Sequence, residues 1–347
     1  MDQANHNTTY QFEQTGGSKG EPSYDEKHYD TGIIRVPAGE KYNYFYVKNN
    51  KRVSKKDLER ILALKIPPAW NNVWISGDPN SDIQVVGVDS KKRKQYKYNE
   101  KHTFEAEQKK FLRLEEFIKY IPKLNKNISN HMKKNVYDID HVIATMLKLV
   151  QELHLRVGKE QYAKKNKSYG VSSLKKTHVR IDGDMIRLRF KGKSNQMLSY
   201  TLHDKSVADH LNILLKLEGD KLFQYIGEDN IIKKVSDVDI NDYIRKYMGE
   251  DFTIKDFRTY AANYYFVKAL LQETRLHGNN TKRNILNAVK ISAKHLSHTK
   301  SISKKAYIMS FCVDLYMKHP EFFISHKYDD VNEILLKILK AYSSHVK

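Results

Sequence analysis

The chain has 347 residues, with 61 Lys and Arg against 41 Asp and Glu for a formal net charge of +20; its 40% hydrophobic residues and 23 tyrosines exclude a disordered chain. The length accommodates about two domains, and the cationic surplus fits a polyphosphate or anionic surface as partner, nucleic acid first, rather than a neutral metabolite. One cysteine, Cys312, excludes an internal disulfide and a Cys-x-x-Cys zinc cluster.

Residues 1–27 are polar, with few apolar positions, and are expected to form a flexible tail. From Gly32 onward, short runs rich in Val, Ile and Tyr predict strands at 33–36, 42–47, 73–76, 83–88 and 95–98, with one helix over 55–65. After Lys101 the period lengthens. Phe111, Leu114, Phe117, Ile118 and Ile121 fall at helical spacing, as do Ile139, Val142, Ile143, Met146, Leu147, Val150 and Leu153. Around the turn Asp182-Gly183-Asp184, apolar residues alternate with Arg180, Arg187, Arg189 and Lys191, predicting a hairpin with one basic face. A second turn, Gly192-Lys193-Ser194-Asn195, returns the chain through 197–201, and helices follow at 207–217, 240–247, 258–273, 284–296, 304–317 and 331–341. The expected fold class is α+β: a tail (1–27), a small, mostly β N-terminal domain (28–103) and a larger, mainly α-helical C-terminal domain (104–347) with a β-hairpin insertion. Apolar runs are short and broken by lysine, and the amino terminus lacks a basic and apolar leader, so neither secretion nor membrane insertion is expected.

Four segments could carry chemistry. Lys193 stands at a hairpin tip, where its ammonium can project into a groove; alone, that is more simply an exposed turn lysine. Residues 87–98 (GVDSKKRKQYKY) combine four successive cations with Gln95, Tyr96 and Tyr98, which suits phosphates and bases but also a solvated turn or an import signal. Lys255 and Arg258 lie three apart at a helix start, on one face and near the positive dipole end, as a phosphate site or an ordinary surface pair. His298 precedes Tyr307 by nine residues, with Lys304 and Lys305 between them; either ring alone is most simply a packed residue.

Together the segments resemble the type IB DNA topoisomerases, in the compact form of poxviruses and large cytoplasmic DNA viruses with relatives in bacteria. The family pattern is an Arg in Arg-x-Gly, a Lys in a Gly-Lys hairpin turn, a Lys-x-x-Arg pair, a His in a His-Thr turn and a Tyr soon after. Here these are Arg156 in LRVGKEQY, Lys193 in FKGKS, Arg258 in IKDFRTY, and His298 and Tyr307 in SHTKSISKKAY, all in order from residue 64 to the final helix. Two positions depart from the pattern: Ser297 replaces the Gly before the His, and Lys300 the Pro after the Thr. Serine matters there if the backbone takes a positive φ.

The resemblance implies that Tyr307 is the nucleophile forming a DNA 3′-phosphotyrosyl intermediate, that Arg156, Arg258 and His298 hold the non-bridging oxygens, and that Lys193 is general acid to the 5′ oxygen, with Lys255 auxiliary. It implies relaxation of supercoiled duplex without ATP, a metal or any other cofactor, and the chain has no Gly-x-x-x-x-Gly-Lys-Ser/Thr loop. Gln95, Tyr96 and Tyr98, with Lys159 and Tyr162, match family positions that contact DNA. A monomeric C-shaped clamp on double-stranded DNA, a preference for sites of the CCCTT kind, and placement in the virion and at a cytoplasmic viral replication site are implied likewise. Two alternatives stay open: a tyrosine recombinase, in which a His usually stands where Lys255 does, and a non-catalytic basic DNA-binding protein.

Overall fold

The computed structural model describes residues 30–134, 138–249, 252–278 and 280–346. The tail expected at 1–27 lies outside them. The chain divides into two compact units between Gln108 and Lys109, a few residues beyond the division read from the sequence, because one helix runs through that point without a turn.

The first unit is a five-stranded antiparallel sheet: β1 (Ile33–Ala38), β2 (Lys41–Tyr46), β3 (Asn71–Ile75), β4 (Ile83–Val88) and β5 (Lys94–Tyr98), in the order β2-β1-β3-β4-β5, with helix α1 (Lys55–Ala63) between β2 and β3 in sequence. Period-two alternation puts Ile33, Val73, Ile75 and Val85 in one core with Ile61 of α1. Ser54 caps α1, its hydroxyl accepting from the Asp57 amide at 3.1 Å. On the other side, Trp74, Ile83 and Val86 form a smaller cluster.

The second unit is mainly helical, and α2 (Glu100–Met132) leads into it. In α3 (Ile139–Leu153) nearly every position is buried, His141 and Thr145 included, so it is the central helix. After α4 (Glu160–Asn166) comes the expected hairpin as a three-stranded antiparallel sheet, β6 (Val179–Asp182), β7 (Met185–Lys191) and β8 (Met197–His203). Ile186, Leu188 and Phe190 of β7 join the core while Arg187, Arg189 and Lys191 are exposed. Then follow α5 (Lys205–Leu214), a two-stranded ribbon of β9 (Gln224–Ile226) and β10 (Ile232–Lys234), α6 (Asp237–Met248), α7 (Ile254–His277) and α8 (Thr281–His295). The chain ends with α9 (Lys300–Ala306), α10 (Ser310–Lys318), α11 (Pro320–Ser325) and α12 (Val331–Val346).

The helix expected over 304–317 is a correction: the chain leaves helical geometry after Ala306 and resumes it at Ser310, with Tyr307 at φ −129° and ψ −44°. The cause is a side chain from α7, Asn263. Its Nδ2 donates to the Tyr307 carbonyl at 2.9 Å and its Oδ1 accepts from the Met309 amide at 2.9 Å, replacing helical bonds at the break. Helix α4, the β9–β10 ribbon and α11 carry too few residues for periodicity to register.

Candidate active site

Each site residue is held by a local device. Arg156 lies just beyond α3, whose C-cap His154 is left-handed at φ 52°. The Arg-x-Gly motif then has a backbone cause: Gly158 has φ +74°, and a Cβ there would stand 2.3 Å from the Gly170 amide nitrogen. The two strands of chain meet through Val171 N to Arg156 O and Ser172 N to Val157 O, both at 2.8 Å. Arg156 itself is half-buried.

Arg258 sits in the second turn of α7 and is 5% exposed. Below it, Thr253 and Asp256 form the helix-start pair, with the Thr253 amide donating to Asp256 Oδ2 at 2.8 Å. The Arg258 guanidinium donates to the carbonyls of His154 and Leu296 and, at 2.7 Å, to Nε2 of His298. It thereby ties the end of α3 and the end of α8 to His298. Burial, with Arg156 nearby, lowers its pKa to about 10, which leaves it charged at neutral pH.

His298 is placed by the C-terminus of α8. The His298 amide donates to Ala293 O at 2.9 Å and the Ser297 amide to Lys294 O at 3.2 Å, the paired bonds of a Schellman cap. That cap needs a left-handed residue at Ser297, which has φ 51°. The Gly of the family pattern therefore has a physical reason here, and serine holds the same turn without glycine's freedom. Burial, then Arg258, Arg156 and Lys193, push the His298 pKa down to about 3, so the ring is neutral. Because Arg258 can only donate, Nε2 is an acceptor and the ring hydrogen is on Nδ1, which is buried without a partner among the described residues.

Tyr307 follows α9, which Thr299 caps by accepting from the Ile302 amide at 3.3 Å. Its ring centroid is 4.5 Å from that of His298. Burial raises the phenol pKa, but the charge and hydrogen bonding of Arg258 and Arg156 outweigh it, and the net shift is downward from 10.0. Lys193 is exposed on the turn between β7 and β8 and is one of the cations acting on His298. The second unit thus brings Tyr307, Arg156, Arg258 and His298 together, with Lys193 within electrostatic reach. Lys255 is exposed in the first turn of α7, whereas Arg258, three residues on, is buried.

Of the expected DNA contacts, Gln95, Tyr96 and Tyr98 lie on β5 of the first unit. Alternation puts Gln95 on the face opposite the two tyrosines; it donates to Asp89 Oδ2 at 3.1 Å. Tyr96 packs against Trp74, Ile83 and Val86, while Tyr98 is 42% exposed, and their rings are 6.1 Å apart. In the second unit Lys159 is the N-cap of α4 and Tyr162 is an exposed ring of its first turn. Sequence reasoning gave no role to Asn263, His154 or Tyr265, although His154 Nε2 lies 3.1 Å from the Tyr265 hydroxyl, behind Arg258. Asn263 did carry a signal, an amide inside an otherwise apolar helical face. Among the described residues no group of three or more His, Cys, Asp or Glu is placed to hold a metal ion.

Residues 90–314 match the catalytic core of eukaryotic DNA topoisomerase I, a span that includes all five residues of the motif, and residues 41–89 match the N-terminal domain of bacterial DNA topoisomerase IB. The chain is 52% identical to DNA topoisomerase 1B of Acanthamoeba polyphaga mimivirus over 332 residues, 93% of this chain and 99% of that one. The chain belongs to the type IB DNA topoisomerases. Vaccinia virus DNA topoisomerase 1B is 28% identical over 66% of this chain and 71% of its own length, and DNA topoisomerase 1 of Mycosarcoma maydis is 25% identical over 60% and 22%. The family membership decides against a tyrosine recombinase and a non-catalytic basic DNA-binding protein, and makes this topoisomerase an ATP-independent isomerase with DNA as substrate. No helix among the described residues is long and apolar enough to cross a membrane.

Proposed function

We propose that this topoisomerase cuts one strand of duplex DNA through Tyr307 and reseals it by the reverse reaction. The Tyr307 phenol loses its proton to solvent and its oxygen attacks the scissile phosphorus as the bond to the 5′ oxygen breaks; Lys193 gives its proton to that oxygen, and the 3′ phosphate stays on the tyrosine. Resealing takes the proton back to Lys193 as the 5′ oxygen attacks the phosphotyrosyl ester. Arg156 and Arg258 stabilise the in-line transition state by paired, permanently charged hydrogen bonds. An arriving phosphate competes with His298 for the Arg258 hydrogen, freeing Nε2; with its proton moved there, the ring donates to a non-bridging oxygen. Lys255, at the start of α7, assists through a flanking phosphate. Gln95, Tyr96, Tyr98, Lys159 and Tyr162 contact bases or phosphates of the duplex.

One observation carries this reading: the Tyr307 phenol is acidified by two guanidiniums beside a histidine held neutral. A phenol ordinarily ionises near 10 and needs such a surround to act at neutral pH. The test is relaxation of supercoiled plasmid in EDTA without ATP, stopped with detergent and probed for protein on 3′ ends. Tyr307→Phe should bind DNA and form no adduct; adduct in that variant overturns the assignment. Arg258→Lys, which loses the planar fork, should slow single-turnover cleavage by about 10² to 10³. The enzyme acts as a monomer, which sedimentation on DNA checks. The viral sources of its relatives support a place in the virion and at the cytoplasmic replication site, which immunoblotting of purified particles tests.

A further inference from the structure

The outer face of the β6–β8 sheet is unused by the chemistry above. Arg187, Arg189 and Lys191 alternate along β7 with the buried Ile186, Leu188 and Phe190, so the three cations share one exposed face at intervals of about 6 to 7 Å. Arg180 of β6 stands directly opposite Arg187, and Ser199 and Thr201 of β8 stand opposite Arg189 and Arg187. Two guanidiniums paired across a ladder repel, and an anion bound on that face would offset the repulsion. Among the described residues no carboxylate pairs with Arg180, Arg187, Arg189 or Lys191. The acidic residues of this sheet, Asp182 and Asp184, lie at its opposite end, and Asp184 Oδ1 is 3.5 Å from His203 Nδ1. Charge therefore grows more positive along β7 toward the turn that carries Lys193.

We propose that Arg180, Arg187, Arg189 and Lys191 form a phosphate-binding rail for the backbone of the duplex being cut, running along the sheet to the catalytic lysine. The rail fits a regular polyanion because its charges are periodic, and duplex DNA offers a phosphate for about every 1.7 Å of axis. Serine and threonine in the neighbouring row add neutral donors to the same oxygens. Its role is to register the duplex so that Lys193 meets the leaving oxygen. This rests on the assignment of Lys193 and Tyr307 above.

The test measures equilibrium binding of a short duplex across salt, in the full chain carrying Tyr307→Phe so that no cleavage intervenes. Adding Arg187→Ala, Arg189→Ala and Lys191→Ala should flatten the salt dependence. Loss of two or three phosphate contacts makes the affinity drop between about 50 and 200 mM salt about 10- to 40-fold smaller. Charge-conserving Arg187→Lys and Arg189→Lys should keep the original slope. Removing three exposed lysines elsewhere, Lys282→Ala, Lys318→Ala and Lys340→Ala, should leave it near the original as well. An unchanged slope in the rail variant overturns the proposal, as does an equal flattening in the remote one, which would make the effect one of net charge. An unchanged slope on duplex with a reduced one on single-stranded RNA assigns the face to another polyanion and overturns it too. The substituted side chains are exposed, so an unaltered melting temperature verifies folding. Adduct formation by the unsubstituted enzyme is followed in parallel: its absence removes the Tyr307 mechanism, whereas a normal adduct with an unchanged slope removes only the rail.

Discussion

At Tyr307 two opposed effects act on one proton, burial holding it and two guanidiniums releasing it, and the guanidiniums prevail. The rate of single-turnover cleavage should therefore rise with pH and level off below pH 10, and Arg156→Ala or Arg258→Ala should push that levelling upward as well as slowing the reaction; a plateau that does not move would separate the arginines from the phenol. His298 makes the complementary case. Its pKa is pushed down to about 3, so its protonation contributes no break to the rate profile near 6.5, where a free imidazole titrates. A neutral ring acts through a hydrogen bond rather than a charge, and a primary amide can replace such a bond. His298→Gln is thus expected to retain at least about tenfold more cleavage activity than His298→Ala, whose loss is about 10² to 10³; equal losses in single-turnover assays would show that the hydrogen bond is not what the ring supplies.

The elements bearing these residues are joined by turns whose sequence departs from the family pattern in a physically legible way. Ser297 occupies the left-handed position of the α8 cap at φ 51°, a conformation that costs a non-glycine residue about 1 kcal/mol or more. Lys300 is the first residue of α9, where proline is well placed because that amide has no helical partner. Thr299, with φ −74° and ψ 153°, already has the extended geometry that a following proline requires. Ser297→Gly and Lys300→Pro should each raise stability by about 0.4 to 1 kcal/mol, as read by denaturant midpoint; a loss at Lys300→Pro would mean that its amide is engaged. Asn263 has the opposite expectation. Asn263→Ala leaves the Met309 amide and Tyr307 carbonyl without their partner and should cost about 1 to 3 kcal/mol, with cleavage falling more than DNA binding. Alternation made β1 to β8 readable from Val, Ile and Tyr, and helical spacing made α3 and α7 readable. The Tyr307 break was not readable, because Ile308, Phe311 and Leu315 keep a helical spacing while the side chain that interrupts it comes from 44 residues earlier. The five motif residues were found by likeness to a family; spacing alone left each of them an ordinary surface or core residue, since what distinguishes Arg258 is burial against His154 and Leu296, which no local pattern encodes.

Among the described residues Arg35 and Arg258 are the only buried lysines or arginines, but the second unit also buries imidazoles. His131, His141, His154, His178, His210, His295 and His298 all have their pKa values lowered, burial being the first cause in each. Six of them cluster in two places: His141 and His210 meet ring to ring at 4.3 Å with His131 on the neighbouring Tyr243 and Tyr247, while His154, His295 and His298 surround Arg258 and Tyr265; His178 packs elsewhere, against Tyr169. A base whose folded pKa is below its unfolded value binds fewer protons when folded, so stability rises with pH between the two values and is lost on acidification. For the ring at His154, 9% exposed and pushed down to about 4 from 6.5, lowering the pH from 7 to 5 costs about 2 kcal/mol. At about 2 to 4 °C per kcal/mol for a unit of this size, that one residue lowers the melting temperature by about 4 to 8 °C, and the other six add to it. Carboxylates paired with cations, such as Asp89 with its pKa near 2, do not yet titrate in this window. Thermal melts at constant ionic strength should therefore fall steeply between pH 7 and 5, and His154→Gln should make the fall shallower. A melting temperature flat across that range would mean that these rings take up protons in the folded chain as readily as in the unfolded one.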